Sequence, residues 1–139
     1  MKSFSSKFIL KSLLYTIFSD SRSGILVKKL DTALKKLIYD FIRGYVDGDG
    51  TLGVYPHSKT NPKLEESLLI VGTKSFLEGV QKYLGKGYLM QKPNCNENTY
   101  RLGYSTLKAF KAADIMYKNA TVYLDRKYNI YINEYCPYR

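Results

Sequence analysis

The sequence predicts an α+β protein in which one four-stranded antiparallel sheet is backed by helices. Apolar residues recur at helical spacing before residue 47, and two pairs of strand-like segments follow, with a helical segment between the pairs. From residue 31 onward the predicted order is helix, two strands, helix, two strands and two helices. Because the two strand pairs resemble each other, a single sheet is the simplest arrangement.

The composition is that of an ordinary globular domain with an unusual charge. The chain has 139 residues, of which 45% are hydrophobic and 24% charged. Its 22 Lys and Arg against 12 Asp and Glu give a net charge of +10, which favours nucleic acid first and an anionic membrane surface second. No run approaches the roughly 18 apolar residues of a membrane span. Two cysteines without a zinc-binding spacing indicate a reducing, intracellular environment.

Residues 1–30 are predicted to be an N-terminal extension, and residues 31–139 a single domain. Residues 1–19 contain three lysines and no acid, which fits either a docked amphipathic helix or an organellar transit peptide. The absence of arginine favours the docked helix. A loop is predicted at residues 19–24.

The first helix of the domain is predicted to begin at Asp31, a good N-cap residue, and to continue to Val46. Gly48 and Gly50 are expected to end it. Its apolar face is formed by residues three and four positions apart, namely Leu34, Ile38, Phe41, Ile42 and Tyr45.

The later elements follow from alternation and from capping residues. Segments 51–59 and 64–71 predict one hairpin, and segments 85–92 and 98–105 predict a second strand pair. Between them, Thr73 is the predicted N-cap of a helix that Gly85 closes. Segment 106–119 predicts a third helix, and segment 122–135 a fourth.

Two aspartates, Asp47 and Asp49, alternate with glycines where the first helix ends. A calcium loop is excluded, because such a loop needs acids at alternate positions and no further acid occurs before Glu65. The C-terminal end of a helix disfavours negative charge, so two acids there suggest a compensating cation or partner. From the residue types alone, Asp47 and Asp49 could form either a structural cap or a metal site.

The segment Ile42-Arg43-Gly44-Tyr45-Val46-Asp47-Gly48-Asp49-Gly50 resembles the LAGLIDADG motif of homing endonucleases, in the variant with Arg at its second position. "IVGTKSFLEGVQKYLG" at 70–85 and "VYLDRKY" at 122–128 are similar to later segments of that family. The resemblance covers roughly residues 31 to 135. It implies the αββαββα LAGLIDADG homing-endonuclease fold, with the sheet shaped as a saddle.

The single copy of the motif implies a homodimer, since the family packs two such helices against each other in an isologous interface. Gly44 would permit the close approach of the two helices. Asp47 would cap and orient the partner helix rather than bind metal. The implied dimer interface comprises Ile42, Gly44, Tyr45 and Asp47.

The resemblance also implies a catalytic centre at the dimer axis. Asp49 and the Gly48 carbonyl would hold Mg²⁺ ions shared between subunits, with Mn²⁺ or Ca²⁺ able to substitute for binding. The basic residue that the family places near the scissile phosphate matches Lys127 best, with Arg126 beside it, although a solvated lysine is an equal alternative. The polar residue often found after the second strand is missing, because "LLIVGT" is apolar.

The implied function is a site-specific double-stranded DNA endonuclease with a long pseudo-palindromic target, as expected of a mobile intron or a free-standing reading frame. The alternative is a cleavage-inactive nucleic-acid-binding protein, either a splicing maturase or a transcription factor. The sheet would lie in the major groove. Lys92 and Arg101 are candidates for guanine edges, and His57, the only histidine, is assigned to DNA rather than metal. The implied DNA contacts are Tyr55, His57, Lys59, Tyr88, Lys92 and Arg101.

Overall fold

The computed structural model describes residues 24–135, which form a four-stranded antiparallel sheet with helices. The strands are β1 (Thr51–Pro56), β2 (Leu64–Gly72), β3 (Tyr88–Gln91) and β4 (Tyr100–Ser105). The helices are α1 (Gly24–Asp49), α2 (Lys74–Leu84), α3 (Thr106–Tyr117) and α4 (Asp125–Ile130), and a π-helical segment, Tyr131–Tyr135, follows α4. The predicted α+β class and the order αββαββα are confirmed.

Helix α1 begins earlier than predicted. The chain divides into two compact units, residues 1–38 and 39–139, and the division falls within this helix. In the first unit, Asp31 is not an N-cap, because α1 already begins at Gly24, and its carboxylate instead lies 2.9 Å from the Lys35 ammonium one turn later. The docked helix and most of the loop predicted before residue 24 lie outside the described residues.

Helix α1 also ends later than predicted. Asp47 and Gly48 are helical, and the last residue of the helix is Asp49. The chain then turns at Gly50, whose N–H donates to the Val46 carbonyl at 2.9 Å. A Cβ at position 50 would lie 2.8 Å from the Val46 Cα, so only glycine fits this turn. Gly48 therefore does not end the helix, and Gly50 does.

The sheet has the strand order β1-β2-β4-β3, and every neighbouring pair is antiparallel. One face is buried, because α2 and α3 pack on the two central strands. Across that face the register aligns apolar side chains in the rows Leu52–Leu68–Tyr104 and Ile70–Leu102–Leu89. The residues of opposite parity form the open face of the sheet, which includes Tyr55, Glu65, Ser67, Leu69, Tyr88, Met90 and Arg101.

The remaining helices follow their local signals. Thr73 caps α2 as predicted, since its Oγ1 accepts from the Phe76 N–H at 3.3 Å, and Gly85 ends the helix with a φ of +89°. The fourth predicted helix begins later, at Asp125, and is short before it widens into the π-helical segment. Within residues 24–135, no helix combines the length and the apolar character of a membrane span.

Candidate metal centre and nucleic-acid interface

Lys127 is a buried side chain that caps the C-terminal end of helix α1. It is 2% exposed, and its ammonium donates to the backbone carbonyls of Val46, Asp47 and Gly50, the last two at 3.0 and 2.6 Å. The final carbonyls of a helix have no hydrogen-bond donors within the helix, and they lie at the negative end of its dipole. A lysine ammonium there both donates hydrogen bonds to these carbonyls and balances the negative charge. Lys127 is thus neither a solvated lysine nor a group exposed to a phosphate.

Asp47 is held within its own chain. One carboxylate oxygen accepts from the Tyr117 hydroxyl at 2.5 Å, and the other accepts from the Leu124 N–H at 2.9 Å. The residue therefore connects the end of α1 to the last residue of α3 and to Leu124, the residue that precedes α4. Asp47 thus accepts from the N–H of the residue that precedes α4 in its own chain, and the capping of a partner helix stays a prediction.

Arg43 is a buried residue whose role the sequence did not reveal. Its Nε donates to the Val122 carbonyl at 2.8 Å, and one terminal nitrogen donates to the Met116 carbonyl at 3.0 Å and to Asp40 at 2.8 Å. Burying a guanidinium is costly unless such partners satisfy it. Arg43 thereby fixes the segment between α3 and α4 against α1.

The ionisable groups of this region respond to burial. Burial raises the pKa of the Tyr117 phenol above its usual range, and the hydrogen bond to Asp47 adds to the effect. Burial lowers the pKa of the Lys127 ammonium, while the Asp47 carboxylate opposes that shift. The Asp47 carboxylate therefore stabilises the protonated forms of both Tyr117 and Lys127.

Asp49 and Gly48 lie outside this network. Both are exposed, and no side-chain hydrogen bond or ion pair between described residues engages the Asp49 carboxylate. A carboxylate and a neighbouring carbonyl are the hard oxygen ligands that Mg²⁺ and Ca²⁺ take. Residues 24–135 contain no cluster of three or more His, Cys, Asp or Glu that could hold a metal, so these two groups fit a metal only as part of a larger ligand set.

Of the four predicted interface residues, Gly44 is exposed, whereas Ile42, Tyr45 and Asp47 make contacts within the chain. Gly44 and Gly48 are exposed one turn apart, and a Cβ at either would meet nothing within 4 Å in the described chain. Phe41, on the same side of the helix, is 62% exposed. By contrast, Ile42 is 3% exposed in the core, and the Tyr45 hydroxyl donates to the Val71 carbonyl at 2.7 Å. We call Phe41, Gly44 and Gly48 the open face of α1.

The predicted DNA contacts lie on or beside the open face of the sheet. Tyr55, Tyr88 and Arg101 project from it, on β1, β3 and β4 respectively. Lys92 is exposed directly after β3, where its N–H donates to the Thr99 carbonyl. His57 and Lys59 are exposed in the β1–β2 connection rather than on a strand. Three of the six predicted residues therefore lie on the open face of the sheet, and the other three lie in the chain that follows β1 or β3.

Comparison of the sequence with known proteins gives no relative. No protein-family model matches the chain, and no curated protein matches it. The fold, by contrast, is similar to several solved structures.

The archaeal intron-encoded homing endonuclease I-Vdi141I, solved in complex with DNA, superposes with a TM-score of 0.55 and 20% identity. The LAGLIDADG homing endonuclease I-GzeII, solved with its DNA target, gives 0.50 and 17%. The homing endonuclease I-CvuI, solved with its target and calcium, gives 0.51 and 17%. The chain has the LAGLIDADG homing-endonuclease fold.

Each superposition covers part of both chains. The superpositions cover 69%, 64% and 60% of this chain for I-Vdi141I, I-GzeII and I-CvuI. They cover 64%, 31% and 57% of those proteins, so this chain spans less than two thirds of their length. In this chain, the motif-like segment 42–50 spans the end of α1, and Asp49, the last residue of the helix, is exposed.

Proposed function

We propose that this chain is a site-specific double-stranded DNA endonuclease that acts as a Mg²⁺-dependent homodimer. The observation that carries the proposal is the exposed Asp49 carboxylate at the end of a helix whose open face runs up to it. The other acid of the turn, Asp47, is engaged within the chain by the Tyr117 hydroxyl and the Leu124 N–H. Asp49 is left to face outward.

The open face of α1 supports dimerisation through this helix. Phe41 places a large apolar ring in solvent, and Gly44 and Gly48 leave the backbone uncovered one and two turns later. Small residues let two helices approach closely, and an apolar ring beside them gains from burial. In a two-fold symmetric pair, each face meets its own copy, so the two Asp49 carboxylates come together.

Asp49 and the Gly48 carbonyl of each subunit would hold Mg²⁺ at this axis. When bound, the ion would supply the chemistry of phosphodiester hydrolysis, namely an activated water and stabilisation of the leaving oxygen. Mg²⁺ commonly takes one or two carboxylates together with substrate phosphates, which fits the single carboxylate available in each chain. Lys127 keeps the carbonyls on either side of Gly48 engaged, and so holds the turn that presents these ligands.

The open face of the sheet would bind DNA in the major groove. A net charge of +10 attracts the duplex at long range, and exposed Lys59 and Lys92 lie at two edges of the sheet surface. Arg101 projects from the middle of the sheet, where it could donate to a guanine edge. The tyrosines Tyr55 and Tyr88 offer hydroxyl donors for phosphate oxygens.

A specific observation favours the alternative, a binding protein that no longer cleaves. Lys127, the residue that matched the family's basic group near the scissile phosphate, is buried and engaged by three carbonyls. Without another basic group in that place, the fold would bind DNA and leave it intact. The two functions therefore differ in cleavage and not in binding.

The deciding experiment selects cleaved molecules from a randomised duplex DNA library with the full chain and Mg²⁺, alongside a binding selection from the same library with Ca²⁺. Recovery of cut molecules that share a pseudo-palindromic site supports the endonuclease and the dimer. Specific retention without cutting supports the binding protein. If the chain neither cuts nor selectively retains any duplex, a DNA function for this chain is refuted.

A further inference from the structure

His57, the only histidine of the chain, is paired with an acidic residue of the neighbouring strand. Its Nδ1 lies 2.9 Å from a carboxylate oxygen of Glu65. The imidazole is 53% exposed, whereas the Glu65 side chain is 25% exposed. Glu65 belongs to the open face of the sheet, where its backbone is paired with Tyr55. The Glu65 carboxylate is thus the more buried of the two groups, and the imidazole of His57 is the more exposed.

We propose that Glu65 is a positioning residue that fixes the tautomer of His57, so that His57 presents Nε2 as a hydrogen-bond acceptor to a base. The inference rests on the proposed DNA-binding function and adds to it the class of base that this position selects. It concerns base recognition and is independent of the metal centre.

The tautomer follows from the chemistry of the pair. An ionised carboxylate can only accept hydrogen bonds, so the ring nitrogen that faces it must carry the proton. In the neutral imidazole, the other nitrogen then has the lone pair. Nδ1–H donates to Glu65, and Nε2 is left as the acceptor on the exposed side of the ring.

The backbone around His57 is hydrogen-bonded. The His57 N–H donates to the Lys63 carbonyl at 2.9 Å, which continues the strand pairing beyond β1. The Ser58 N–H donates to the Asn61 carbonyl at 3.0 Å, and the Asn61 N–H donates to the Ser58 hydroxyl at 3.0 Å. The connection is therefore an ordered turn, and His57 is its first residue. Its backbone N–H contacts Lys63, and its imidazole contacts Glu65.

The exposed acceptor selects among bases. In the major groove, adenine N6 and cytosine N4 are amino donors, whereas guanine and thymine present acceptors at the corresponding edge. An Nε2 acceptor therefore favours adenine or cytosine on the contacted strand. Glu65 acting alone would also accept from cytosine, so the two residues must be separated experimentally.

The first test measures the tautomer directly, without DNA. Nitrogen-15 NMR of the full chain observes one histidine, at a pH well above the ordinary imidazole pKa of about 6.5. We expect the Nδ1–H tautomer to predominate and its share to fall in Glu65→Gln, because the amide can also donate to Nδ1. Glu78→Gln, which removes the same charge from the exposed surface of α2, should leave the tautomer unchanged. A predominant Nε2–H tautomer in the unmodified protein would overturn the proposal.

The second test compares binding selections from a randomised duplex for the unmodified chain, Glu65→Gln, His57→Ala and the double variant. We expect a preference for adenine or cytosine at one position of each half-site, on the order of tenfold, that both single variants lose. In the His57→Ala background, Glu65→Gln should change nothing further, since Glu65 acts through the histidine. A further change there would assign base reading to Glu65 itself and refute the positioning role.

The outcomes separate this inference from the proposed function. If the unmodified chain selects a sequence but Glu65→Gln selects the same one with equal preference, only this inference fails. If the unmodified chain retains no duplex selectively, the proposed function fails and the reading role of His57 fails with it. The NMR measurement then still decides whether the pair fixes the ring.

Discussion

The Lys127 ammonium donates a 2.6 Å hydrogen bond to the Gly50 carbonyl, 77 residues earlier in the chain. Gly50 is the residue at which the chain leaves helix α1, and Asp49 precedes it. The bond therefore joins the C-terminal helices to the turn that presents the candidate metal ligand. Lys127 therefore supports this turn through buried contacts with the backbone.

Lys127→Met should destabilise the protein strongly. Methionine retains the apolar stem but leaves the carbonyls that the ammonium satisfied without a donor in a buried place. We expect the free energy of unfolding to fall by on the order of 3 kcal/mol. Urea denaturation followed by circular dichroism measures the change. Lys118→Met, at an exposed lysine, is the matched control and should shift the free energy by less than about 0.5 kcal/mol; equal midpoints for both variants would contradict the capping role.

The two aspartates of the motif should respond differently to the same substitution. Asp49→Asn removes a charge from an exposed group and should abolish cleavage, by roughly a hundredfold or more, with DNA affinity and unfolding free energy little changed. Asp47→Asn places an amide against the Tyr117 hydroxyl or the Leu124 N–H and should lower the unfolding free energy by about 1–2 kcal/mol.

Cleavage of the selected duplex and urea denaturation distinguish the two effects. Asp31→Asn, on the exposed surface of the same helix, is the control and should preserve both properties. Undiminished cleavage by Asp49→Asn would remove this residue from the metal centre.

The elements that could be predicted are those whose signals are local. Thr73 and Gly85 bound α2 because a cap and a left-handed glycine act within a few residues. Alternation in the first strand and the polar turns at 58–63 and 93–98 predict the four strands. The start of α1 was misplaced because Asp31, a good N-cap, occurs where the helix continues. In the candidate site, the motif predicts that Asp49 is available to a ligand, and its carboxylate is exposed. The contacts of Arg43, Asp47 and Lys127, by contrast, are made with residues about 70–80 positions away. No local pattern encodes such contacts, so they emerge only when the chain is folded.

Gly44→Leu should prevent dimerisation. The position is open within the described chain, so the leucine has room in the monomer and should increase helix propensity. In a close helix pair, the same side chain would hold the two backbones apart. Gly79→Leu, in α2, is the matched control, because a Cβ there also meets nothing within 4 Å.

Sedimentation equilibrium of the two variants and the unmodified chain measures this effect. We expect Gly44→Leu to sediment as a monomer and Gly79→Leu to behave as the unmodified chain does. A Gly44→Leu variant that sediments as a dimer would show that the two chains meet elsewhere.

Arg101 and Lys59 should affect DNA binding in different ways. Arg101→Ala removes a fork of donors from the middle of the sheet and should relax base preference at one position, at a cost of about 1–3 kcal/mol for the preferred sequence. Lys59→Ala, in the exposed turn, should weaken binding to all sequences and reduce the salt slope by about 1. Binding isotherms at several salt concentrations, on the selected site and on a scrambled duplex, separate the two. A uniform loss for Arg101→Ala would identify it as a phosphate contact.

Alkaline pH should destabilise the fold through two buried tyrosines. Burial raises the pKa values of Tyr104 and Tyr117 above their ordinary value of 10.0. Both phenols are therefore held neutral in the folded chain, and the stability that this contributes is present below pH 10 and declines as the pH rises above it. Phenolate absorbance should accordingly rise in two stages, and the second stage, which includes Tyr104 and Tyr117, should accompany unfolding. Tyr104→Phe removes one phenol from the second stage and leaves the first unchanged. A single absorbance transition near pH 10, with the circular dichroism of the folded chain preserved, would show that neither phenol is protected by the fold.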